Sequence, residues 1–234
     1  MNSITLLLAV HNHQPIGNFD FVFQEAFDRA YKPFFDVLEK HPRIKISLHY
    51  SGILLTWLEE HQPGFLSRLS RLVKSGQVEL LTGAYYEAIL SVLPEADRQG
   101  QIRKLSSVIK KRFRTVPAGM WLAERVWEQQ VTRSIADSGV KFVLLDDTHF
   151  RSAGLAEGDL FGYYVTEEGG ASLALFPMSK LLRYAIPFQP VSKTIDYLRG
   201  LASDSGKRVI TFGDDGEKFG VWPTTHKHVY EDGW

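Results

Sequence analysis

The chain has 234 residues, 44% hydrophobic and 23% charged, with 27 basic and 27 acidic side chains and so no formal net charge. That balance argues against a nucleic-acid binder, which usually shows a basic excess, and leaves neutral ligands such as sugars open. No cysteine occurs, which excludes disulfide frameworks and thiolate metal sites and fits a reducing cytoplasm.

The first apolar run, residues 4–10, has no basic residue before it and leads straight into His11-Asn12-His13-Gln14, unlike a signal peptide. No stretch reaches the roughly 18 apolar residues of a membrane span. The expectation is a soluble cytoplasmic protein without a membrane or nucleic-acid partner. Residues 4–10 themselves read as a continuous buried strand. Residues 21–31 read as a helix, and Pro33 suits the first turn of another that runs to Lys40. Residues 44–48 form a second strand. Two helices follow, 53–61 and 64–74, with Pro63 between them. Residues 78–81 form a third strand. A long amphipathic helix, 95–113, carries Arg103, Lys104, Lys110 and Lys111 on its wet face. Residues 119–122 begin a fourth strand, and the helix over 128–138 stops at Gly139. Residues 142–145 form a fifth strand. Then the pattern changes: 161–165 and 172–176, separated by Glu167-Glu168-Gly169-Gly170, read as a hairpin excursion. A helix over 191–201 and a strand over 209–212 complete the series.

Strands separated by helices imply an α/β fold with a parallel sheet. Six or seven β/α units without a Gly-rich phosphate turn after the first strand favour a closed barrel over an open doubly wound sheet. No repeat, low-complexity tract or linker divides the chain, so a single domain over residues 1–234 is expected.

Each strand ends in a polar cluster: His11-Asn12-His13-Gln14-Pro15, then His49-Tyr50, then Gly83-Ala84-Tyr85-Tyr86-Glu87, then Ala123-Glu124-Arg125-Val126-Trp127-Glu128, then Asp146-Asp147-Thr148-His149, and finally Gly213-Asp214-Asp215-Gly216-Glu217-Lys218. In a parallel barrel those ends share one face, and that face carries the active site. Loops also begin there, so any one cluster alone has a plain structural reading. Asp214-Asp215-Gly216 suits a turn, Glu128 suits a helix start, and His49 suits a core histidine. Six clusters in phase are harder to explain as packing.

Glycosidic bond cleavage needs one carboxylate at the anomeric carbon and one carboxylic acid at the leaving oxygen. Glu124 and Asp215 suit the two roles, although the residues alone do not separate Asp215 from the adjacent Asp214. Arg125 is expected to keep Glu124 ionised. Repulsion among Asp214, Asp215 and Glu217 is expected to raise at least one of them toward a general acid, with Lys218 opposing that rise. Trp121, Trp127 and Trp222 suit stacking on a pyranose face, or burial in the barrel wall.

Four stretches closely resemble the first four signature regions of glycoside hydrolase family 57, in the family's order. They are His11-Asn12-His13-Gln14-Pro15, residues 83–90, Trp121-Leu122-Ala123-Glu124-Arg125-Val126-Trp127, and Asp214-Asp215-Gly216-Glu217-Lys218-Phe219-Gly220. The continuation Val221-Trp222-Pro223 looks most like the 4-α-glucanotransferase and α-amylase branch. The resemblance implies an incomplete TIM-like (β/α)7 barrel and a retaining mechanism on α-glucans or maltooligosaccharides, with no cofactor and no metal. It places the nucleophile on Glu124 and the acid/base on Asp215. His11, His13, Glu87, Trp121, Asp214, Glu217 and Trp222 fall on positions that line the glucan cleft. Family members of this branch are longer, with a helical region that completes the site and often a C-terminal β-rich domain. The expectation is therefore a catalytic barrel cut short on its C-terminal side, with a homodimer among the open assemblies. Transfer and hydrolysis are not separated.

Two other readings stay open. One is a metal-dependent amidohydrolase or deacetylase using His11 and His13, completed by Asp146, Asp147 or His149, with His226 and His228 as later histidines. The other is a non-catalytic glucan-binding fragment.

Overall fold

The computed structural model describes residues 2–234. Eight strands, separated by helices except between β6 and β7, are β1 (Thr5–Asn12), β2 (Ile46–Tyr50), β3 (Val78–Leu81), β4 (Gly119–Trp121), β5 (Phe142–Asp146), β6 (Tyr164–Glu168), β7 (Ala171–Met178) and β8 (Val209–Asp215). Seven of them pair in parallel in the order β3-β2-β1-β8-β7-β5-β4. The two ends of that row meet. Thr82, one residue past β3, bridges Met120 of β4; its N–H donates to the Gly119 carbonyl at 2.9 Å, and its carbonyl accepts from the Trp121 N–H at 2.8 Å. The result is the expected seven-stranded, nearly closed α/β barrel.

The seams differ in strength. β1 and β8 stay in register from Thr5↔Val209 to His11↔Asp215. β7 and β8 share only Met178↔Thr211, extended by the Ser179 N–H on the Thr211 carbonyl at 2.8 Å.

The expected hairpin excursion is half correct. β6 does lie outside the barrel, antiparallel to β7, across a turn in which Gly169 and Gly170 take positive φ. β7, however, is a barrel stave. Its length lets it pair with β6 near its start and with β5 from Ala174 to Met178. Leu173 and Leu175 pack outward under the helices, and Phe176 and Met178 join the barrel interior.

Two helix boundaries also differ from expectation. The chain does not break before Pro33: helix Asp20–Ala26 passes through a π-turn, Phe27–Tyr31, into helix Lys32–Lys40. Proline has no N–H for the carbonyl four residues back. The Arg29 carbonyl so released lies 2.8 Å from His226 Nδ1, and Gly220 packs so close that a Cβ there would sit 1.8 Å from the same oxygen. This contact ties the segment after β8 to the first helix pair. The helix expected over 128–138 is shorter, Val131–Ala136, and Gly139 ends the turn at φ 90 with its N–H on the Ala136 carbonyl.

Inside the barrel, Ala9, Leu81, Trp121, Leu144 and Met178 pack with Phe142 and Phe176. Trp121 is admitted because Gly213 faces it: a Cβ there would strike Met178 Sδ at 2.3 Å and approach the indole at 3.3 Å. Two larger apolar clusters fill the space between the strands and the surrounding helices. Among the described residues, no helix is long and apolar enough to cross a membrane.

Candidate active site

The polar strand ends converge at the C-terminal mouth on a pocket of about 230 Å³. Seven of the nine residues expected there line it: His11, His13, Trp121, Glu124, Asp215, Glu217 and Trp222, together with Gln14, Pro15 and Arg125. Glu87 and Asp214 stand just behind this lining, against its histidines and its acid pair.

The floor is a stack of rings. His11 lies on Trp121 at 4.8 Å between centroids and 5° between planes, and His13 lies on the other side at 5.2 Å and 12°. Stacked rings keep their lone pairs in separate, nearly parallel planes, so His11 and His13 do not converge on one ion as the metal reading expects. His11 instead meets His49, its register partner on β2, with Nδ1 atoms 2.8 Å apart. His49 is fully buried, and Gly83 makes room for it, since a Cβ there would come within 2.5 Å of Nε2.

Glu87, at φ 55, faces both rings, 3.8 Å from His11 Nε2 and 3.7 Å from His49 Nε2. These three form the group among the described residues whose donor atoms suit a metal ion. Burial, reinforced by the charges of Glu124, Glu217 and Asp215, pushes Glu87 up to about 8. Burial lowers His49 to about 3 and holds His11 well below the usual histidine range. At neutral pH the trio is therefore a set of neutral groups rather than ion pairs.

Glu124 and Arg125 occupy consecutive left-handed positions, φ 50 and 56. Non-glycine residues adopt that region at a cost, and it clusters at functional sites. The turn is held by the Arg125 N–H on the Leu122 carbonyl at 2.8 Å and by His149 Nε2, 3.0 Å from the Arg125 carbonyl. It projects Glu124 into the open pocket, where the side chain is exposed. Arg125, expected to steady Glu124, turns its guanidinium to Asp146 at 3.2 Å and toward Asp215 at 3.9 Å.

The strand itself separates the two adjacent aspartates, because neighbouring residues point to opposite faces. Asp215 faces the pocket. Asp214 is 2% exposed and is held by Lys218 at 2.5 Å and Arg183 at 3.5 Å. Lys218 thus serves Asp214 and also donates to the Arg183 carbonyl. Burial raises the Asp215 carboxyl, the charge of Asp214 raises it further, and Arg125, Arg183 and His13 oppose the rise. Glu217 is pushed up to about 7 by burial, although the Tyr31 hydroxyl and the His13 N–H both donate to it. Trp222 is 41% exposed at the rim and stacks on Phe188 at 6.2 Å. Trp127 packs instead against the outer core.

The family model for glycosyl hydrolase family 57 matches residues 7–234. The chain belongs to this family. It is 48% identical to "Alpha-amylase 1" of Dictyoglomus thermophilum, over 99% of this chain and 34% of that protein. It is 47% identical to "4-alpha-glucanotransferase" of Thermococcus litoralis, over 100% of this chain and 35% of that protein. The crystal structure of 4-alpha-glucanotransferase from Thermococcus litoralis superposes with a TM-score of 0.97 at 46% identity, covering 100% of this chain and 37% of that one. The chain thus spans about a third of the length of these relatives.

Within this family 57 barrel, the late histidines of the metal reading are engaged elsewhere. His226 Nδ1 lies against the Arg29 carbonyl and His228 Nε2 against the Pro187 carbonyl. Asp147 accepts from the Lys180 N–H at 3.1 Å. Two residues at the site escaped the sequence reading. Tyr31 sits in a helix with no motif to mark it. Arg183 lies in helix Lys180–Ala185, after a strand that read as half of an external hairpin.

Proposed function

We propose that the chain is the catalytic barrel of a retaining enzyme that cleaves or transfers α-1,4-glucosidic linkages. Glu124 attacks the anomeric carbon to form a glycosyl-enzyme, and Asp215 protonates the leaving oxygen and then deprotonates the incoming hydroxyl. The observation that carries this reading is that Glu124 and Asp215, from β4 and β8, open onto one pocket with opposite environments. Glu124 is exposed, whereas the Asp215 carboxyl is raised by burial and by Asp214. Divergent environments are how a pair of carboxyls divides nucleophile and acid work.

The remaining assignments follow the same geometry. The Trp121–His11–His13 stack forms the floor under the sugar. Glu217 provides a hydrogen-bonding partner at sugar hydroxyls, Glu87 backs the His11 and His49 rings from behind the lining, and Trp222 provides an apolar rim. Asp214 acts through Lys218 and Arg183, holding the strand end that presents Asp215. The names of the amylase and glucanotransferase relatives support the α-glucan substrate class.

The test is turnover of maltooligosaccharides by the wild-type chain and by Glu124→Gln. A ladder of longer products marks transfer, and a net gain of reducing ends marks hydrolysis. Binding without any turnover by the wild-type chain would sink the catalytic reading in favour of a glucan-binding fragment. Loss of turnover to a chelator, restored by zinc, would replace it with the metal-dependent one.

A further inference from the structure

We infer that Asp146, at the C-terminal end of β5, is a positioning residue for Asp215: it draws the Arg125 and Arg183 guanidiniums onto itself and so holds them off the pocket carboxyl. The inference rests on reading Asp215 as the acid/base.

Asp146 is not part of the pocket lining, yet its carboxylate reaches two arginines from two different elements. Oδ2 accepts from Arg125 Nε at 3.2 Å, and Oδ1 accepts from Arg183 Nη1 at 2.6 Å. The same guanidiniums approach the β8 aspartates less closely. Arg125 Nη1 stands 3.9 Å from Asp215 Oδ1, and Arg183 Nη2 stands 3.5 Å from Asp214 Oδ1. Each arginine is therefore shared between Asp146 and the acid pair, with the nearer contact at Asp146. The backbone of Arg125 is fixed by its strained turn and by His149, so only its side chain can redistribute.

The consequence is electrostatic. Asp215 feels the charges of Asp214 on its own strand, Arg125 from the segment after β4, Arg183 from helix Lys180–Ala185 and His13 from the segment after β1. Glu87, Glu217 and Lys218 also feel its charge. A guanidinium in direct contact lowers a carboxyl by about one to three pH units. Arg125 turned fully onto Asp215, with Arg183 drawn toward the same strand end, would lower that carboxyl and oppose its work as a proton donor. The other charged groups beside Asp146 do not compete for the arginines. Asp147 is engaged by the Lys180 N–H and lies 3.5 Å from Arg151, and His149 faces the Arg125 carbonyl.

The experiment reads Asp215 directly. The chain is labelled with carboxyl-carbon-13 aspartate, the Asp215 resonance is identified by its loss in Asp215→Asn, and its midpoint is followed through a pH titration. No turnover is required, so the result stands apart from the acid/base assignment, which fails separately if Asp215→Asn turns over normally. In Asp146→Asn, which keeps the shape and removes the charge, the Asp215 midpoint should fall by about one unit or more. Asp146→Glu, which restores a carboxylate, should stay near the wild-type midpoint. Wherever turnover is measured, the alkaline limb of kcat/KM in Asp146→Asn should move down by the same amount with its acid limb unmoved. An Asp215 midpoint unchanged or raised in a folded Asp146→Asn would overturn the inference, as would an equal fall in Asp146→Glu. Asp146→Ser serves the same test if the asparagine variant does not fold.

Discussion

Two residues of travel along a strand separate two kinds of interior in this barrel. At the mouth, β1, β5 and β8 present His11, Asp146 and Asp215; one layer down, the same strands present Ala9, Leu144 and Gly213. The upper layer is polar, holds carboxyls and histidines far from their ordinary titration ranges, and is flanked by charged residues at positive φ. The lower layer is apolar, and toward the opposite opening it gives way to a hollow of about 520 Å³ bordered by Leu7, Phe142 and Phe176. The barrel therefore stores its stability below Trp121 and spends strain and desolvation above it. Substitutions in the two layers should therefore fail in different assays.

The largest effect should come from the mouth. If Glu124 is the nucleophile as proposed, Glu124→Gln is expected to lower kcat by on the order of a thousandfold or more. The side chain is exposed, so its melting temperature should match wild type. A large loss of stability there would break the division between the layers. The lower layer should behave in the opposite way. Leu144→Ala, at a site 4% exposed in the barrel interior, is expected to cost about 2–5 kcal/mol in denaturant unfolding, with kcat in the folded fraction changed only a few-fold.

A third measurement places the boundary. Burial pushes Glu87 up from the ordinary 4.5 of an unfolded chain to about 8. The folded state therefore holds the extra proton between those values, and stability declines as pH rises through that window. Glu87→Gln cannot ionise, so it lacks this decline. The stability gap between variant and wild type should open from about pH 4.5 to 8 by at most about 5 kcal/mol and then level. Parallel curves would mean that Glu87 stays ionised in the fold. The smallest effect should lie outside both layers. Asp137→Asn removes an exposed pairing with Arg133 at 3.5 Å and should change stability by less than about 0.5 kcal/mol.

Much of this was legible in advance where the signal was local. The apolar runs that became β1 to β5 and β8 showed themselves because strands buried on both faces must be continuously hydrophobic. The clusters at their ends showed themselves because a parallel barrel gathers those ends on one face. β7 was misread because a two-glycine turn between short apolar runs is also the mark of a hairpin, and nothing local reveals that the second arm pairs in parallel with β5. The continuity of the helix across Pro33 was hidden for a similar reason. The donor-free carbonyl of Arg29 is met by His226, almost two hundred residues later in the chain.

By itself, then, the sequence determined the family, the α/β barrel class and the residue types at each strand end, because these follow from periodicity and from motifs a few residues long. Only the tertiary structure decided what those residues face. Strand alternation buried Asp214 against Lys218 and opened Asp215 to the pocket. Ring stacking paired His11 with Trp121 and His49 rather than with an ion, and Arg125 turned from its neighbour Glu124 to Asp146, which comes from the next strand of the barrel. Direction, burial and charge partners depend on which remote segments are brought within a few ångströms, and no local pattern in the chain encodes that.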